Sequence, residues 1–190
     1  MFDVLRQMST LHSILVLLAA LVAVFGESTF GGIRHLFGAQ IDLLPAIVVY
    51  AALRTGLVTL SLVATLGGLL FDSLSANPPG VSVLPLFIPG FVIYLKRDLI
   101  LQHQLFAQCV IGLCASAVAP ALTLLLLLTA GHTPLLGWGS LWQWIVMSVG
   151  GAIATPVLFL LFDWFDQALS YRRATESSFR PDREIRRGRK

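Results

Sequence analysis

The stretch LFAQCVIGLCASAVAPALTLLLLLTA, residues Leu105–Ala130, decides the fold class of this chain because none of its residues is charged. It belongs to a longer uncharged run, from Leu99 to Phe162. About 20 apolar residues in a helix cross the ~30 Å hydrocarbon core of a bilayer. Of the 190 residues in the chain, 56% are apolar and 12% are charged, whereas a soluble domain has about 25% charged residues. A soluble domain of this length could not bury so much apolar surface, so the predicted solvent is lipid.

Charged residues and turn signals divide the chain into six predicted helices. The first lies between Arg6 and Glu27, and no small-x-small cleavage site follows it, so we expect a retained anchor rather than a signal peptide. The prediction is an all-α integral membrane protein with a single domain over residues 1–170 and a basic tail over residues 171–190. The remaining predicted helices are Leu43–Leu53, Thr55–Phe71, Val81–Leu95, Leu105–Ala130 and Leu141–Phe162.

Two interpretations are open for residues 43–71. Either two short helices turn at Arg54-Thr55-Gly56, with Gly56 as a hinge, or one long helix carries Arg54 in mid-membrane. A central Arg costs roughly 2.5–3.5 kcal/mol on insertion scales, which favours two helices. The second predicted helix is too short to cross as an ideal rod, and Pro85 and Pro89 are expected to kink or break the fourth.

The distribution of charge predicts the orientation. Residues 171–190 hold eight Lys or Arg against three Asp or Glu. Six crossings place both termini in the cytoplasm with twelve Lys or Arg, and leave Arg34 alone outside, in agreement with the positive-inside rule. Five crossings, with Arg54 in the membrane, fit the count nearly as well. The body of the chain carries a small negative net charge, which excludes a basic face for nucleic acid.

The reactive side chains predict a protein without catalytic activity. The four histidines are scattered without the spacing of metal ligands. Ser140 follows Gly-Trp-Gly, but no His or Asp is placed to activate it. Asp163 and Asp166 share one helix face near its solvated end, whereas intramembrane aspartyl catalysis needs carboxylates on facing helices. We therefore expect neither an enzyme nor a bound cofactor or metal.

Small and polar residues recur at helical spacing on three predicted helices. In lipid, small residues allow helices to approach closely and polar ones form hydrogen bonds between helices. Each stripe serves either packing within the chain, which is favoured, or the binding of another membrane helix. The stripes are Ser61, Thr65, Gly68 and Asp72 on the third helix; Cys109, Gly112, Ser116, Pro120 and Thr123 on the fifth; and Ser148, Gly151 and Thr155 on the sixth.

Asp72 differs from the other members of its stripe because an acid at a membrane helix end needs a partner or water. Asp42 lies on the same predicted side of the membrane, and Arg34 is the only cation there. A charge cluster of these three residues and a solvated end-cap at Asp72 are both open.

Three motifs lie close together in residues 40–80. Residues 40–56 read QIDLLPAIVVYAALRTG, in which Asp-Leu-Leu opens a short helix and a Tyr/Ala-Leu-x-x-Gly turn ends it. Residues 67–75 read GGLLFDSLS, and Gly80 follows. In these motifs and in its size, the chain resembles the MreD family of bacterial rod shape-determining membrane proteins.

The resemblance implies a non-enzymatic inner-membrane scaffold subunit of the cell-elongation complex. The implied partners are the single-span protein MreC, together with MreB, RodA and a penicillin-binding transpeptidase. The family also resembles the six-helix substrate-binding subunits of energy-coupling vitamin transporters, and such a subunit is the alternative function. The Arg-rich tail departs from the family pattern. Candidate residues for partner binding or helix packing are Asp42, Tyr50, Arg54, Gly56, Ser61, Thr65, Gly68, Asp72 and Gly80.

Overall fold

A computed structural model describes residues 2–29, 40–75, 78–100, 104–131 and 137–177. Within these ranges the chain forms α-helices, one short 3₁₀ turn at Arg97–Leu99 and no strand, so the all-α prediction is confirmed. The helices are α1 (Phe2–Thr29), α2 (Leu44–Arg54), α3 (Leu57–Leu74), α4 (Val83–Lys96), α5 (Leu105–Thr129) and α6 (Trp138–Ser177).

Four of the described helices are long and apolar enough to cross a membrane. They are α3, α5 and the segments Leu11–Thr29 of α1 and Trp138–Phe165 of α6. The 11 residues of α2 span about 16 Å and the 14 residues of α4 about 21 Å, both less than the ~30 Å of a hydrocarbon core. The protein is membrane-embedded. Its second helix is short, as predicted, and its fourth helix is short as well.

Helix α2 lies at the centre of the bundle. Every residue from Leu44 to Leu53 is buried, and α1, α3, α4 and α5 all pack against this helix. A helix that is apolar on all sides is stable only where it is enclosed. Because protein rather than lipid surrounds α2, its short length leaves no unpaired backbone exposed to hydrocarbon.

Consecutive helices run antiparallel. The start of α2 meets the end of α3, where Leu44 fills the space beside Gly67. The end of α3 meets the start of α4 at Gly68 and Val83, and α5 meets α6 where Trp144 Nε1 donates to the carbonyl oxygen of Ala117 at 2.8 Å. Arg54, Lys96 and Arg97 consequently lie at the end of the bundle where α1 begins.

The chain breaks between α2 and α3 at Thr55 and Gly56, so the two-helix interpretation is confirmed and the single long helix is wrong. The N–H and the hydroxyl of Thr55 both donate to the carbonyl oxygen of Ala51, at 2.9 and 2.6 Å. Gly56 has φ −89°, a conformation open to any residue, and a Cβ there would meet no atom within 4 Å. Thr55 therefore ends the helix, and the break does not require glycine.

The prolines of α4 do not divide it. Pro85 lies in the first turn, where backbone N–H groups have no helical acceptor, and Pro89 lies inside a helix that continues from Val83 to Lys96. Of the two predicted outcomes, a break is therefore wrong, and a kink stays a prediction. Pro120 and Pro156 are likewise accommodated within α5 and α6.

The chain forms two compact units, Met1–Leu158 and Phe159–Lys190. The first contains the helix bundle. In the second, the α6 backbone remains helical through Ser177, seven residues into the predicted basic tail.

Candidate functional site

Residues 40–43 form an irregular segment, here called the strap, that is fixed to α6. The N–H of Gln40 donates to Oε1 of Gln143 at 3.2 Å, and Nε2 of Gln143 donates back to the carbonyl oxygen of Gln40 at 2.9 Å. Ile41 packs against Gly150, where a Cβ would lie 2.7 Å from Cγ2 of Ile41. Two hydrogen bonds and one close contact thus attach the strap to α6.

Two acidic side chains meet where the strap enters α2. Oε1 of Glu27 accepts the N–H of Leu43 at 2.6 Å, and Oδ1 of Asp42 accepts the N–H of Leu44 at 2.9 Å. Carboxylates at a helix N-terminus pair with amides that lack helical acceptors and interact favourably with the helix dipole. Since the two amides are consecutive, the two carboxyl groups lie side by side.

These acids lack a charged partner within the described part of the chain. Neither Glu27 nor Asp42 forms an ion pair with a described residue, and Oε2 of Glu27 is buried without a hydrogen-bond partner. Asp42 belongs to the strap, outside the four long apolar segments, and is 9% exposed. Burial raises the pKa of Asp42 above its ordinary value, and the hydrogen bond from Leu44 offsets part of the rise.

Asp72 anchors the loop between α3 and α4. Its Oδ2 accepts the backbone N–H groups of Gly80 at 2.8 Å and Ser82 at 3.0 Å, while Oδ1 accepts the Ser82 hydroxyl at 2.5 Å. The carboxylate is 1% exposed. It is therefore an end-cap, as one alternative held, but a buried rather than a solvated one. It bonds neither to Asp42 nor to any described cation, and Arg34 lies outside the described residues.

The two glycines of this region have different roles. Gly80 has φ +94°, a left-handed conformation that disfavours side chains, and this turn aims its N–H at Asp72. Gly68 lets α3 approach the start of α4, because a Cβ there would lie 3.0 Å from both N and Cα of Val83. Gly68 therefore packs within the chain.

Tyr50 connects α2 to α1. Its side chain is buried, and its hydroxyl lies 3.2 Å from Nε2 of His12, whose ring centroid is 5.7 Å from that of Tyr50. A second polar contact joins the hydroxyls of Ser13 and Thr59 at 2.8 Å, so α1 also reaches α3.

Three other predicted candidates lie on α2 and α3. Arg54 lies half-buried in the last turn of α2. The half-buried Ser61 donates to the carbonyl oxygen of Leu57 in its own helix at 2.9 Å, and Thr65 is exposed. The predicted α3 stripe is therefore buried only at Gly68 and Asp72, and any partner role of Ser61 and Thr65 stays a prediction.

The stripes on α5 and α6 pack against each other. A Cβ on Gly112 would overlap Oγ1 of Thr155 and would lie 2.6 Å from the carbonyl oxygen of Gly151. A Cβ on Gly151 would in turn overlap Oγ of Ser116. At these four residues the two stripes therefore serve packing within the chain, the use that the sequence favours.

A cavity of about 200 Å³ opens at the end of the bundle that holds the strap and the α3–α4 loop. It lies between the end of α3, the start of α4, the second half of α5 and the first turns of α6. Its polar lining side chains are Asp42, Ser82 and Thr123. Its apolar wall includes Phe71, Pro85, Leu86, Leu124, Leu127 and Met147.

Sequence reasoning missed Glu27 and Ser82 as members of this region. Glu27 is a lone acid that ends an apolar span, and such an acid signals a specific partner. Ser82 follows a Pro-Pro-Gly turn and directly precedes an apolar helix, which is a common position for a polar residue at a helix start.

A scan against protein-family models matches no family, and comparisons with curated proteins and with solved structures give no match.

Proposed function

We propose that this protein is a non-enzymatic scaffold subunit of the bacterial cell-elongation complex in the inner membrane. The observation that carries the proposal is where the structure places the motif residues by which the chain resembles the MreD family. Asp72 and Gly80 hold the α3–α4 loop, Gly68 lets these helices touch, and Tyr50 joins α1 to the central helix. The motifs thus coincide with the contacts that build the bundle.

The polar groups inside the bundle support a structural role. Tyr50 with His12, Ser13 with Thr59 and Asp72 with Ser82 bond one another within the chain. No described group of three or more His, Cys, Asp or Glu is placed to hold a metal ion. Side chains committed to internal hydrogen bonds stabilise a fold, whereas catalysis needs groups that face a substrate.

The outer faces of α1 and α6 support binding to another membrane helix. Both helices expose large apolar side chains at helical spacing, so these faces contact either lipid or a partner helix. We assign one of them to MreC, through which MreB, RodA and a penicillin-binding transpeptidase would be reached, and the remainder to lipid. The exposed residues include Ile14, Leu18, Val22 and Phe25 on α1, and Ile145, Val149, Ile153 and Val157 on α6.

The proposed orientation has both termini in the cytoplasm. Arg54, Lys96 and Arg97 lie at the end of the bundle where α1 begins, and α1 carries Arg6 in its first turns. The strap and the α3–α4 loop lie at the opposite end. This arrangement supports a cytoplasmic basic end under the positive-inside rule.

Depletion of the protein from its rod-shaped host tests the proposal. Cells should become round while their uptake of vitamins stays normal, and MreC should co-purify with the tagged protein in a mild detergent. Restoring the intact protein should restore the rods and controls for effects on neighbouring genes. Cells that stay rod-shaped but lose accumulation of a vitamin would contradict the scaffold role.

The second candidate is the substrate-binding subunit of an energy-coupling vitamin transporter. The cavity beside the strap favours it, because ligand sites in such proteins need an enclosed space with a few polar groups. Its volume of about 200 Å³ lies below the roughly 300–1,000 Å³ of ordinary ligand pockets, so the scaffold role is preferred.

A further inference from the structure

When Asp42 is ionised, the polar side chains of the cavity beside the strap accept hydrogen bonds but donate none. The Ser82 hydroxyl already donates to Oδ1 of Asp72, and the Thr123 hydroxyl donates to the carbonyl oxygen of Ala119 at 3.0 Å. What these side chains present to an occupant is hydroxyl lone pairs and the Asp42 carboxyl group. A ligand that carries donors therefore fits, and an anion does not.

The charge of the cavity also favours a ligand that carries donors over an anion. Asp42 is nine-tenths buried, it lies beside Glu27, and neither forms an ion pair with a described cation. One oxygen of Glu27 is buried without a hydrogen-bond partner. Buried carboxyl groups are costly unless they are paired. A cationic donor at Asp42 would offset this cost more fully than a neutral donor would.

The remaining wall sets the size of the occupant. It is apolar, and the cavity volume is about 200 Å³. An apolar cavity of about 150 Å³ in another protein holds one benzene molecule. The space beside the strap therefore fits an apolar group of about that size together with an ammonium group.

We propose that this cavity binds a small amphipathic primary amine, with its ammonium group at Asp42 and its apolar tail between α4 and α5. An aminophospholipid head group fits poorly, because the phosphate beside its ammonium would meet polar side chains that offer no donor. The site does not depend on the scaffold role, since the argument uses only the lining of the cavity.

A matched series of ligands tests the site in the full-length protein, held in nanodiscs of phosphatidylcholine. The ligands are 2-phenylethylamine, 2-phenylethanol and phenylacetate, which share a ring and differ in charge at pH 7. Isothermal titration, with empty nanodiscs as the baseline, should show saturable binding of the amine alone. Binding of the alcohol or the acid as tightly as the amine, or no saturable binding of the amine, would overturn the proposal.

Two substitutions locate the site. Asp42→Asn retains an oxygen for the N–H of Leu44 but removes the charge, so the affinity for the amine should fall about tenfold or more. Thr123→Phe fills the cavity and should abolish binding, whereas Leu125→Phe on the exposed face of the same helix should leave it intact. Unchanged binding in Asp42→Asn or Thr123→Phe would show that the amine binds elsewhere.

A final comparison separates a free amine from a lipid. Nanodiscs that contain phosphatidylethanolamine should leave binding of 2-phenylethylamine unchanged. Competition by that lipid would overturn the assignment to a free amine. Cell shape and vitamin uptake are measured independently of all these titrations, so the failure of this site and the failure of the scaffold role are distinguishable.

Discussion

At the scale of single residues, Asp72 shows how one carboxylate organises a membrane loop. It accepts three hydrogen bonds from Gly80 and Ser82, eight and ten positions along the chain, although it is almost fully buried. Hydrogen bonds to a charged acceptor contribute more than neutral ones, roughly 1.5–3 kcal/mol each. The buried carboxylate of Asp72 is stable in the bundle because the loop supplies hydrogen-bond donors to both of its oxygens.

Asp72→Ala and Asp72→Asn should differ sharply in stability. Alanine leaves the partly buried N–H group of Gly80 and the buried N–H group of Ser82 without an acceptor, so we expect the free energy of unfolding to fall by about 2–4 kcal/mol. Asparagine keeps one oxygen for those amides, and its NH₂ group can face the Ser82 hydroxyl, so the loss should be about 1 kcal/mol or less. Thermal unfolding in detergent measures both. Equal losses would mean that the charge, rather than the acceptor geometry, matters.

At the scale of helices, glycine governs how closely neighbours approach. Gly68 brings α3 against the backbone of Val83, and Gly112 brings α5 against Gly151 and Thr155. Helices in lipid gain little from apolar burial, so close contacts of this kind supply the attraction between them. The contacts also explain why neither glycine is replaceable by a larger residue at constant geometry.

Gly68→Leu should weaken the α3–α4 contact. The added side chain would press on backbone atoms that cannot rotate away, with an overpacking cost of about 1–3 kcal/mol. Leu69→Ala, at an exposed neighbouring position, is the control and should change the unfolding temperature little. If Leu69→Ala is the damaging variant and Gly68→Leu assembles normally, the contact face of α3 is not the one described.

Gly112→Ala and Gly26→Ala form a second matched pair. A methyl group at Gly112 would overlap Thr155 and should force α5 and α6 apart, at a cost of about 1–3 kcal/mol. At Gly26 it would meet no atom within 4 Å, so the same change should be neutral or should stabilise α1 by about 0.5–1 kcal/mol. The unfolding temperature should therefore fall in Gly112→Ala and should not fall in Gly26→Ala, and a similar fall in both variants would count against this packing.

At the scale of the whole molecule, a short apolar helix is enclosed by longer ones. The ten buried residues of α2 contact four other helices, and both ends of α2 are held, one by Glu27 and Asp42 and the other by Thr55. Alternating helix directions place the Lys and Arg residues of the helix ends away from the strap. Packing and charge thus support the same proposed orientation.

Reporter fusions test that orientation. A reporter that is active only in the periplasm should be silent when fused after Lys190 and active when inserted at Asn77. The reason is the positive-inside rule, applied to twelve Lys or Arg on one predicted side and one on the other. A cytoplasm-active reporter at the same two positions should give the opposite pattern. Periplasmic activity at Lys190 would reverse the whole topology.

Several features of this protein follow from its sequence alone. The uncharged run from Leu99 to Phe162 and the placement of Asp, Arg, Pro and Gly elsewhere predict an all-α membrane protein with a short second helix. These features are local, because hydrocarbon requires every backbone group to be paired within its own helix. The break after Arg54 is also predicted locally, because a charge in mid-membrane is costly.

Only the tertiary structure decided which residues meet. It placed α2 at the centre, assigned Asp72 to Gly80 and Ser82 rather than to Arg34 or Asp42, and brought Glu27 beside Asp42. It also separated Thr65, which is exposed, from Gly68, which is packed, although both belong to one helical stripe. In a chain whose helices are apolar on nearly every face, hydrophobic periodicity does not distinguish the faces that contact lipid from those that contact other helices. The choice of neighbours therefore rests on shape complementarity between distant segments, which no local pattern encodes.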